Sequence, residues 1–475
     1  MAELQNSKDF ILKSARLYLV GQSSPVDITK LVFSISYFES ITSPTVAATV
    51  VISDSAGLLS GNRESNRQPI QGTERIELII QHTFSDEPIE YVFRVWKIAN
   101  RISTNKGQVY TLGLISEEGL VNEASTISVT LSGKSEDIIK DAILTRSLKS
   151  EKSFIKDENY ESSLFEHKMT TSRNRPFDIA AKLAPKTVRG KSDSSVGTSQ
   201  NTMATTTEKI EGTAGYFFWE TNRGYNFFSV DYLCDTDNTK VKTWGKYQEQ
   251  LANLSDDEDA RDRIMEAAFA SDVDIMKSLR KGKYASVVIF FNHSTGQYEE
   301  YQYSMAESYD KMKHLGGQEK AESLSLTQQQ LSAFPSRVMS IYLDHESHYN
   351  KSGIASPDAV DGSGDPSPYS DWQKQFAAQS VTRYSMLTNQ VGSIVIPGNP
   401  LICAGDRIDI LIRSKLSDKE TEKQPWDTET SGIYLIQEVT HKYDMASGAN
   451  GEVTTTLTIM RDSYGMKDEG SLRDG

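Results

Sequence analysis

The chain has 475 residues, of which 37 % are hydrophobic and 24 % are charged, and its formal net charge is −14. This composition is ordinary for a folded protein, and the length predicts several domains because single cores rarely grow past about 250–300 residues. The negative charge argues against a general nucleic-acid binder, whose surface is basic, and suits a surface past which nucleic acid can slide.

The N-terminus and the cysteines indicate a protein that folds in a reducing compartment. The first residues, Met-Ala-Glu-Leu-Gln-Asn, lack the charged and apolar regions of a signal peptide. No apolar run approaches ~20 residues, so no membrane span is expected. Cys234 and Cys403 stand far apart without the spacing of metal ligands, and we interpret them as buried, reduced thiols.

Residues 1–125 are predicted to form a first β-barrel. Strand-like runs rich in alternating or β-branched residues lie at 31–37, 45–54, 72–80, 90–98 and 108–116. Alternation places one face of each strand inside and the other in water, as in an antiparallel sheet or barrel. The run Gly72–Ile80 shares its order of glycine, acidic residue, arginine, isoleucine, acidic residue and apolar residues with Gly405–Ile412. This similarity hints at an internal repeat.

Residues 126–235 are predicted to form a small α+β insert. Ser135–Leu144 has a serine suited to an N-cap, acids in its first turn and apolar residues at helical spacing. Arg175–Ala184 has proline in its first turn and stops before Pro185, which predicts a short helix.

An aromatic hairpin ends the insert. Tyr216–Glu220 and Tyr225–Val230 are rich in aromatic residues and flank the turn Asn222-Arg-Gly224. Aromatic residues along a hairpin are typical of a core or a subunit interface, while stacking on bases or sugars is the alternative. The hairpin around Trp219 and the strand edge Asp54–Ser60 are the exposed candidates for subunit contacts.

The rest of the chain is predicted to form a second β-barrel with an interruption. Its parts are a helix and opening strands (236–305, with strands at 283–291 and 297–305), a polar insertion and flexible loop (306–375), the remaining strands (376–465) and a tail (466–475). Helix formers predict a helix between Tyr247 and Met276. The turn Pro397-Gly-Asn-Pro400 sets the register of the strands beside it.

No residue set predicts a catalytic, cofactor-binding or metal site. The histidines of Asp344-His-Glu-Ser-His348 are three residues apart, whereas a zinc protease places them four apart on one helical face. The other histidines are scattered, at positions 82, 167, 293, 314 and 441. The acidic pairs and runs, Glu117 with Glu118 and Asp256–Asp259, are interpreted as solvated faces in an acidic chain. The chain is therefore not expected to be an enzyme.

The order of barrel, α+β insert with an aromatic hairpin, and interrupted second barrel resembles the baseplate hub protein of contractile-tailed bacteriophages of the T4 type. The segments that carry the resemblance are Val32–Asp54, Ser135–Ile143, Phe217–Asp231, Ile396–Ile408 and Tyr434–His441. The fold class it implies is mainly β with an α+β insert, built as two tail-tube-like antiparallel β-barrels plus smaller inserted domains. The segments 191–213, 306–340, 349–372 and 414–431 look like additions to this core.

The resemblance implies a structural, non-catalytic role. Such hubs form a homotrimeric ring of six barrels that joins the sixfold tail tube to the threefold spike and contains part of the DNA exit channel. The partners it implies are further copies of the chain, a spike or tail-lysozyme-like protein, the tail tube or its initiator, the tape measure protein and baseplate wedge proteins. Neither specific nucleic-acid binding nor membrane insertion is implied. The location would be the tail baseplate of a virion assembled in the host cytoplasm.

Other functions stay open. The same barrels would serve the hub of a VgrG-type spike or of a tailocin, although VgrG chains normally continue into a β-helical needle and this sequence ends at Gly475. A tail-associated hydrolase would need a convergent acid, base and nucleophile. A carbohydrate-binding adhesin would depend on the aromatic residues at 216–228.

Overall fold

The computed structural model describes most of the chain in several stretches. They are residues 8–22, 24–55, 57–59, 68–85, 87–104, 107–152, 154, 159–164, 166–189, 213–249, 261–270, 274–291, 298–309, 312–317, 323–324, 329–342, 371–416, 425–445 and 451–466. The fold is mainly β, as the sequence predicts.

The described residues of the N-terminal part form seven strands followed by a helix. The strands are β1 (Phe10–Tyr18), β2 (Val26–Asp27), β3 (Val32–Ser40), β4 (Ala47–Asp54), β5 (Arg75–His82), β6 (Ile89–Thr104) and β7 (Gly107–Ile115), and the helix is Glu117–Ala124. Alternate residues of these strands are buried in one apolar core, to which two residues near the C-terminus, Tyr443 and Val453, also belong.

The insert has the two predicted helices and the predicted hairpin. Its elements are β8 (Thr130–Lys134), the helix Ser135–Ile138 that continues as a π-helix (Ile139–Leu148), β9 (Glu166–Thr170), the helix Pro176–Leu183, β10 (Tyr216–Thr221), β11 (Gly224–Ser229) and the helix Val230–Cys234. The hairpin β10–β11 pairs from Tyr216 opposite Ser229 to Thr221 opposite Gly224. The helices pack on one face of this hairpin and form a separate core with it.

The C-terminal half contains more strands than the sequence indicates. They are β12 (Thr243–Glu249), β13 (Arg263–Ile264), β14 (Glu266–Phe269), β15 (Ala285–Phe291), β16 (Tyr298–Ser304), β17 (Ser323–Leu324), β18 (Gln329–Gln330), β19 (Arg337–Tyr342), β20 (Gln390–Pro397), β21 (Arg407–Leu411), β22 (Gly432–Asp444) and β23 (Glu452–Arg461). The longer helices are Ile275–Lys281 and Asp371–Met386.

Four predictions for this half are corrected. The helix predicted between Tyr247 and Met276 is wrong over most of its described residues, which belong to the end of β12, to β13 and to β14, and β12 pairs with β21 across a long sequence separation. That pairing is parallel, so the large sheet is mixed rather than antiparallel. The strands expected to open the second barrel, β15 and β16, form a separate sheet with β19. Asp371–Met386 is a helix, so the strands resume at Gln390 and not at 376.

Among the described residues, one large sheet of 14 strands joins the two halves of the chain. Its path runs β13-β12-β21-β22-β3-β4-β7-β6-β5-β1-β2, with β23, β20 and β14 branching from β22. At the far end, Asp9 bridges to Glu452 and the backbone N–H of Val453 donates to the carbonyl of Lys8. β1 therefore meets β23, and the N-terminal strands are bordered on both sides by the hairpin β22–β23.

The two halves of the sheet repeat one pairing order. In the first half the neighbours are β5-β6-β7-β4-β3, and in the second they are β21-β22-β23-β20-β14. Every pairing within both series is antiparallel. The chain visits corresponding strands in the same order, so the likeness extends to topology.

A β-bulge occurs at the same place in both halves. Trp96 is the extra residue of β6 against β7, and Gln437 is the extra residue of β22 against β23. Arg75 of β5 and Arg407 of β21 each lie opposite the residue two positions before the bulge. Since bulges interrupt regular pairing at specific positions, their coincidence supports a common origin of the halves.

The turns that enter β5 and β21 also match. Thr73 and Glu74 exchange two backbone hydrogen bonds with the residue before the bulge, at 2.6 and 2.8 Å, and Gly405 and Asp406 do so at 2.9 and 2.9 Å. The φ angles of Thr73 and Gly405 are 73° and 91°. In the internal repeat that the sequence indicates, the position equivalent to Gly405 is therefore Thr73 and not Gly72.

Candidate assembly site

The two halves meet where β3 pairs with β22. Residues Glu438–Asp444 of β22 pair antiparallel with Ser34–Ser40 of β3, while their other edge pairs with β23. Across this junction the rings of Tyr37 and His441 stack at 5.8 Å between centroids. The junction is thus continuous hydrogen-bonded sheet, and the two halves form one unit.

A buried carboxylate, Glu39, lies at the junction and holds three segments together. It accepts hydrogen bonds from the hydroxyl of Tyr37 at 2.6 Å, from the backbone N–H of Asn222 at 2.7 Å and from that of Ala404 at 2.9 Å. Burial raises the pKa of Glu39 to about 7, although the three donors and the nearby Arg223 lower it.

This environment predicts a pH dependence of stability. The pKa of Glu39 is higher in the folded protein than its ordinary value of 4.5, so the folded chain binds this proton more tightly than the unfolded chain. The contribution to the free energy of unfolding is fully present below pH 4.5 and is lost as the pH rises through 7. Its size is about 3 kcal/mol, by the cost of one pKa unit.

We expect Glu39→Gln to remove this pH dependence, because the amide does not titrate. The difference in unfolding free energy between the two proteins, measured by urea denaturation across this pH range, should shift in favour of the variant as the pH rises. Glu90→Gln, at an exposed position, is the control. Parallel pH profiles for Glu39→Gln and the wild-type protein would contradict this role for Glu39.

The tip of the aromatic hairpin is bound to the second half of the sheet. Arg223 donates to both carboxylate oxygens of Asp406 at 2.8 and 2.8 Å, and Trp244 donates to the same carboxylate at 2.9 Å. Bidentate pairs of this kind fix orientation as well as distance. The Asn222-Arg223 turn therefore anchors the insert.

Trp219 is buried, which corrects its prediction as an exposed subunit contact. Its side chain is 2 % exposed, and its indole N–H donates to the carbonyl of Ala404 at 2.9 Å. A Cβ on Gly405 would lie 2.4 Å from the indole ring, so glycine is required where the ring crosses the backbone. Asp54, from the other predicted contact segment, is also buried and caps the backbone N–H of Leu58 at 2.7 Å.

A buried arginine, Arg383, connects the helix Asp371–Met386 to three other segments. Its guanidinium contacts Asp231 at 2.9 Å and Asp462 at 2.5 Å, and it also donates to the carbonyl of Lys313. His314 contacts the same Asp462 carboxylate at 2.8 Å. Burial raises the pKa of Asp462, but Arg383 and His314 lower it by more, so that it lies well below its usual range.

The acidic pair Glu117 and Glu118 has structural partners. Glu117 is exposed and pairs with Arg94 at 2.9 Å. Glu118 pairs with Lys152 at 2.5 Å, and Lys152 also contacts the buried Glu220 of the hairpin. These contacts tie the insert to the first half of the sheet.

Three of the described histidines and both cysteines are buried. Burial lowers the pKa of His82 to about 3 and that of His167 and His441 to about 4. Cys234 and Cys403 are buried free thiols, as predicted, and burial raises the pKa of both.

Within the stretches that the structure describes, no group of three His, Cys, Asp or Glu side chains could hold a metal ion. The motif at 344–348, His293 and the acidic run at 256–259 lie outside these stretches, as does 191–212. No helix among the described residues is long and apolar enough to cross a membrane.

Neither a protein-family model nor a curated protein matches the sequence. The fold is similar to a tail protein from Neisseria meningitidis MC58, at 10 % identity and a TM-score of 0.49, over 95 % of this chain and 96 % of that one. A 43 kDa tail protein of prophage MuSo2 from Shewanella oneidensis is 10 % identical, with a TM-score of 0.45 over 96 % of this chain and 100 % of that one.

A third similar structure is the E. coli c3393 protein, described as a component of the type VI secretion system that resembles T4 bacteriophage tail proteins. It is 11 % identical, with a TM-score of 0.41 over 95 % of this chain and 79 % of that one. Tail and type VI secretion proteins are thus the class found among these structures, and they are the class that the sequence resembles.

Proposed function

We propose that this chain is a structural hub in the baseplate of a contractile tail. The observation that carries the proposal is the internal repeat, in which two five-strand series share one pairing order, one bulge position and one pair of turn hydrogen bonds. Each series, with the strands that border it, corresponds to one tube-like barrel.

A duplicated unit resolves a symmetry mismatch. Three copies of a chain with two similar barrels make a ring of six similar units that keeps true threefold symmetry. One face of such a ring fits a sixfold tail tube or its initiator, and the other fits a threefold spike. The tape measure protein and the wedge proteins are the further partners of a hub at this position.

The charge of the chain is compatible with a channel for DNA. A net charge of −14 gives a surface that repels the phosphate backbone, so DNA passing through the ring would not be held. An inner surface of the ring that proved basic would contradict this part of the proposal.

The contacts of the polar residues support a structural role rather than catalysis. The buried charged groups Glu39, Arg383 and Asp462 each join separate segments of the chain. These groups are held rigidly by protein partners, which suits an assembly component. Peptidoglycan cleavage would then belong to the spike or another tail component.

The mass of the purified chain in solution tests the proposal. Light scattering at several concentrations should give about three times the 53.0 kDa of one chain. A monomer whose mass does not change with concentration would contradict a self-assembling ring. A lytic assay on the same sample should show no cleavage of peptidoglycan.

A further inference from the structure

The internal repeat identifies one strand edge in the first half that should have a partner. In the second half, Glu438–Asp444 of β22 pairs with β23 on one edge and with β3 on the other. The corresponding part of β6, Lys97–Thr104, pairs with β7 on one edge. Along the described strands, no other strand pairs with its second edge.

The same reasoning identifies the complementary edge. β14 corresponds to β3, because it pairs antiparallel with β20 as β3 pairs with β4. The second edge of β3 is occupied by β22, whereas β14 is paired only with β20 among the described strands. Within the two repeated five-strand series, each half therefore has one open edge among the described strands.

The geometry points to antiparallel pairing of the Lys97–Thr104 edge of one copy with the Glu266–Phe269 edge of the next copy. This inference rests on the proposed function and specifies how the ring is joined. The contact is head-to-tail, since it uses two different surfaces of each chain, and a head-to-tail contact forms a closed ring when its rotation closes. It repeats between copies the junction that β3 and β22 form within one chain.

The exposed residues at the two edges fit such a contact. Trp96 and Ile102 of β6 are 55 % and 62 % exposed, which is unusual for large apolar side chains at an open strand edge. The β14 edge presents the small, exposed residues Ala267 and Ala268, which allow close approach. The edge of β6 carries two basic residues, Lys97 and Arg101, and β14 carries one acidic residue, Glu266, so the two strands have net charges of opposite sign.

The repeat also predicts the register. In each half, the first residue after the bulge has a partner on the next strand. The residue that pairs four positions before that partner is Ile102 in the first half and Lys442 in the second, so these two residues correspond. Ala268 corresponds to Ser36 through their pairing with β20 and β4. Since Lys442 lies opposite Ser36 within the chain, Ile102 should lie opposite Ala268 of the next copy.

Cross-linking tests this register. In the variant with both Ile102→Cys and Ala268→Cys, a short bis-maleimide should link chains into covalent dimers and trimers on a denaturing gel. Directly opposed strand residues have Cβ atoms about 5 Å apart, within reach of the reagent. Either cysteine alone should leave the chain monomeric on the gel, because the native Cys234 and Cys403 are buried.

A charge at the edge provides a second test. Ile102→Glu places a carboxylate near Glu266 of the next copy, and the mass in solution should fall threefold, from trimer to monomer. Val129→Glu, at a 46 % exposed apolar residue of the insert, is the matched control and should stay trimeric. Circular dichroism and thermal unfolding should show that both variants fold like the wild-type chain.

The outcomes separate the edge pairing from the ring itself. A wild-type trimer that neither cross-links through these cysteines nor dissociates on Ile102→Glu would overturn the edge pairing and leave the ring standing. A wild-type monomer at every concentration would overturn both the proposed function and the edge pairing.

Discussion

Replacing Arg383 by methionine is expected to lower the free energy of unfolding by about 3–5 kcal/mol, the usual cost of removing one partner from a buried ion pair. The side chain of Arg383 is fully buried, and its guanidinium contacts two carboxylates, Asp231 and Asp462. Methionine fills similar space but leaves both carboxylates without their cation.

The loss should depend on pH in a defined direction. The lowered pKa of Asp462 contributes stability that is present at neutral pH and is lost as the pH falls. Arg383→Met removes most of this contribution. The difference in unfolding free energy between the variant and the wild type should therefore become smaller towards acid pH. Chemical denaturation at a series of pH values measures it.

Arg280→Met, at an exposed arginine in the helix Ile275–Lys281, is the matched control. Its effect should stay within about 0.5 kcal/mol, as for most surface substitutions. If Arg383→Met were as stable as this control, the buried cluster would not hold the segments together.

Replacing Trp219 by alanine is expected to lower the free energy of unfolding by about 3–5 kcal/mol, as for other buried aromatic residues. The ring packs against Gly405 and Phe228, and its N–H is bonded to the carbonyl of Ala404. Alanine would leave a cavity between the hairpin and the second half of the sheet, together with a buried carbonyl that has lost its donor.

Trp219→Phe separates the two contributions, because it keeps an apolar ring and loses only the donor and part of the volume. It should be clearly less destabilising than Trp219→Ala in the same urea titration. Phe33→Ala, at a 51 % exposed aromatic residue of β3, is the surface control. Equal effects of Trp219→Ala and Phe33→Ala would show that the hairpin is not anchored by the indole.

Local signals in the sequence were sufficient to predict elements whose contacts are between residues close in sequence. The hairpin is marked by Asn222-Arg-Gly224 between two aromatic runs, and the helix Pro176–Leu183 by its first-turn proline. The burial of Trp219 could not be inferred locally, because the carbonyl that binds it lies 185 positions away in sequence.

Strand membership was the part that local patterns could not decide. The apolar run of β15 and the mixed sequence of β16 suit a strand in either sheet, and the pairing of β15 with the parallel strand β19 places both in the smaller sheet. Likewise β12 joins the large sheet through a parallel partner, β21, that is distant in sequence. Helix-forming residues nearby favoured the wrong assignment there, since tertiary pairing overrides local propensity.

The repeat was visible in sequence only as one short similarity. Its acidic, arginine and isoleucine positions were matched as in the structure, but Gly72 was matched to Gly405 although Thr73 makes the corresponding backbone hydrogen bond. The remaining evidence for the repeat is the pairing order and the bulge position, which can hardly be recognised from residue identities. The cluster around Arg383 had no sequence signal, since its members come from four separate segments.

The rotational symmetry of the assembled particle tests the central claim most directly. End-on views of the purified protein by electron microscopy should show a ring of six similar lobes that averages to threefold symmetry, with a central opening. A particle of two or four chains would contradict the proposed hub function. So would monomers, if light scattering detects no larger species at the same concentrations.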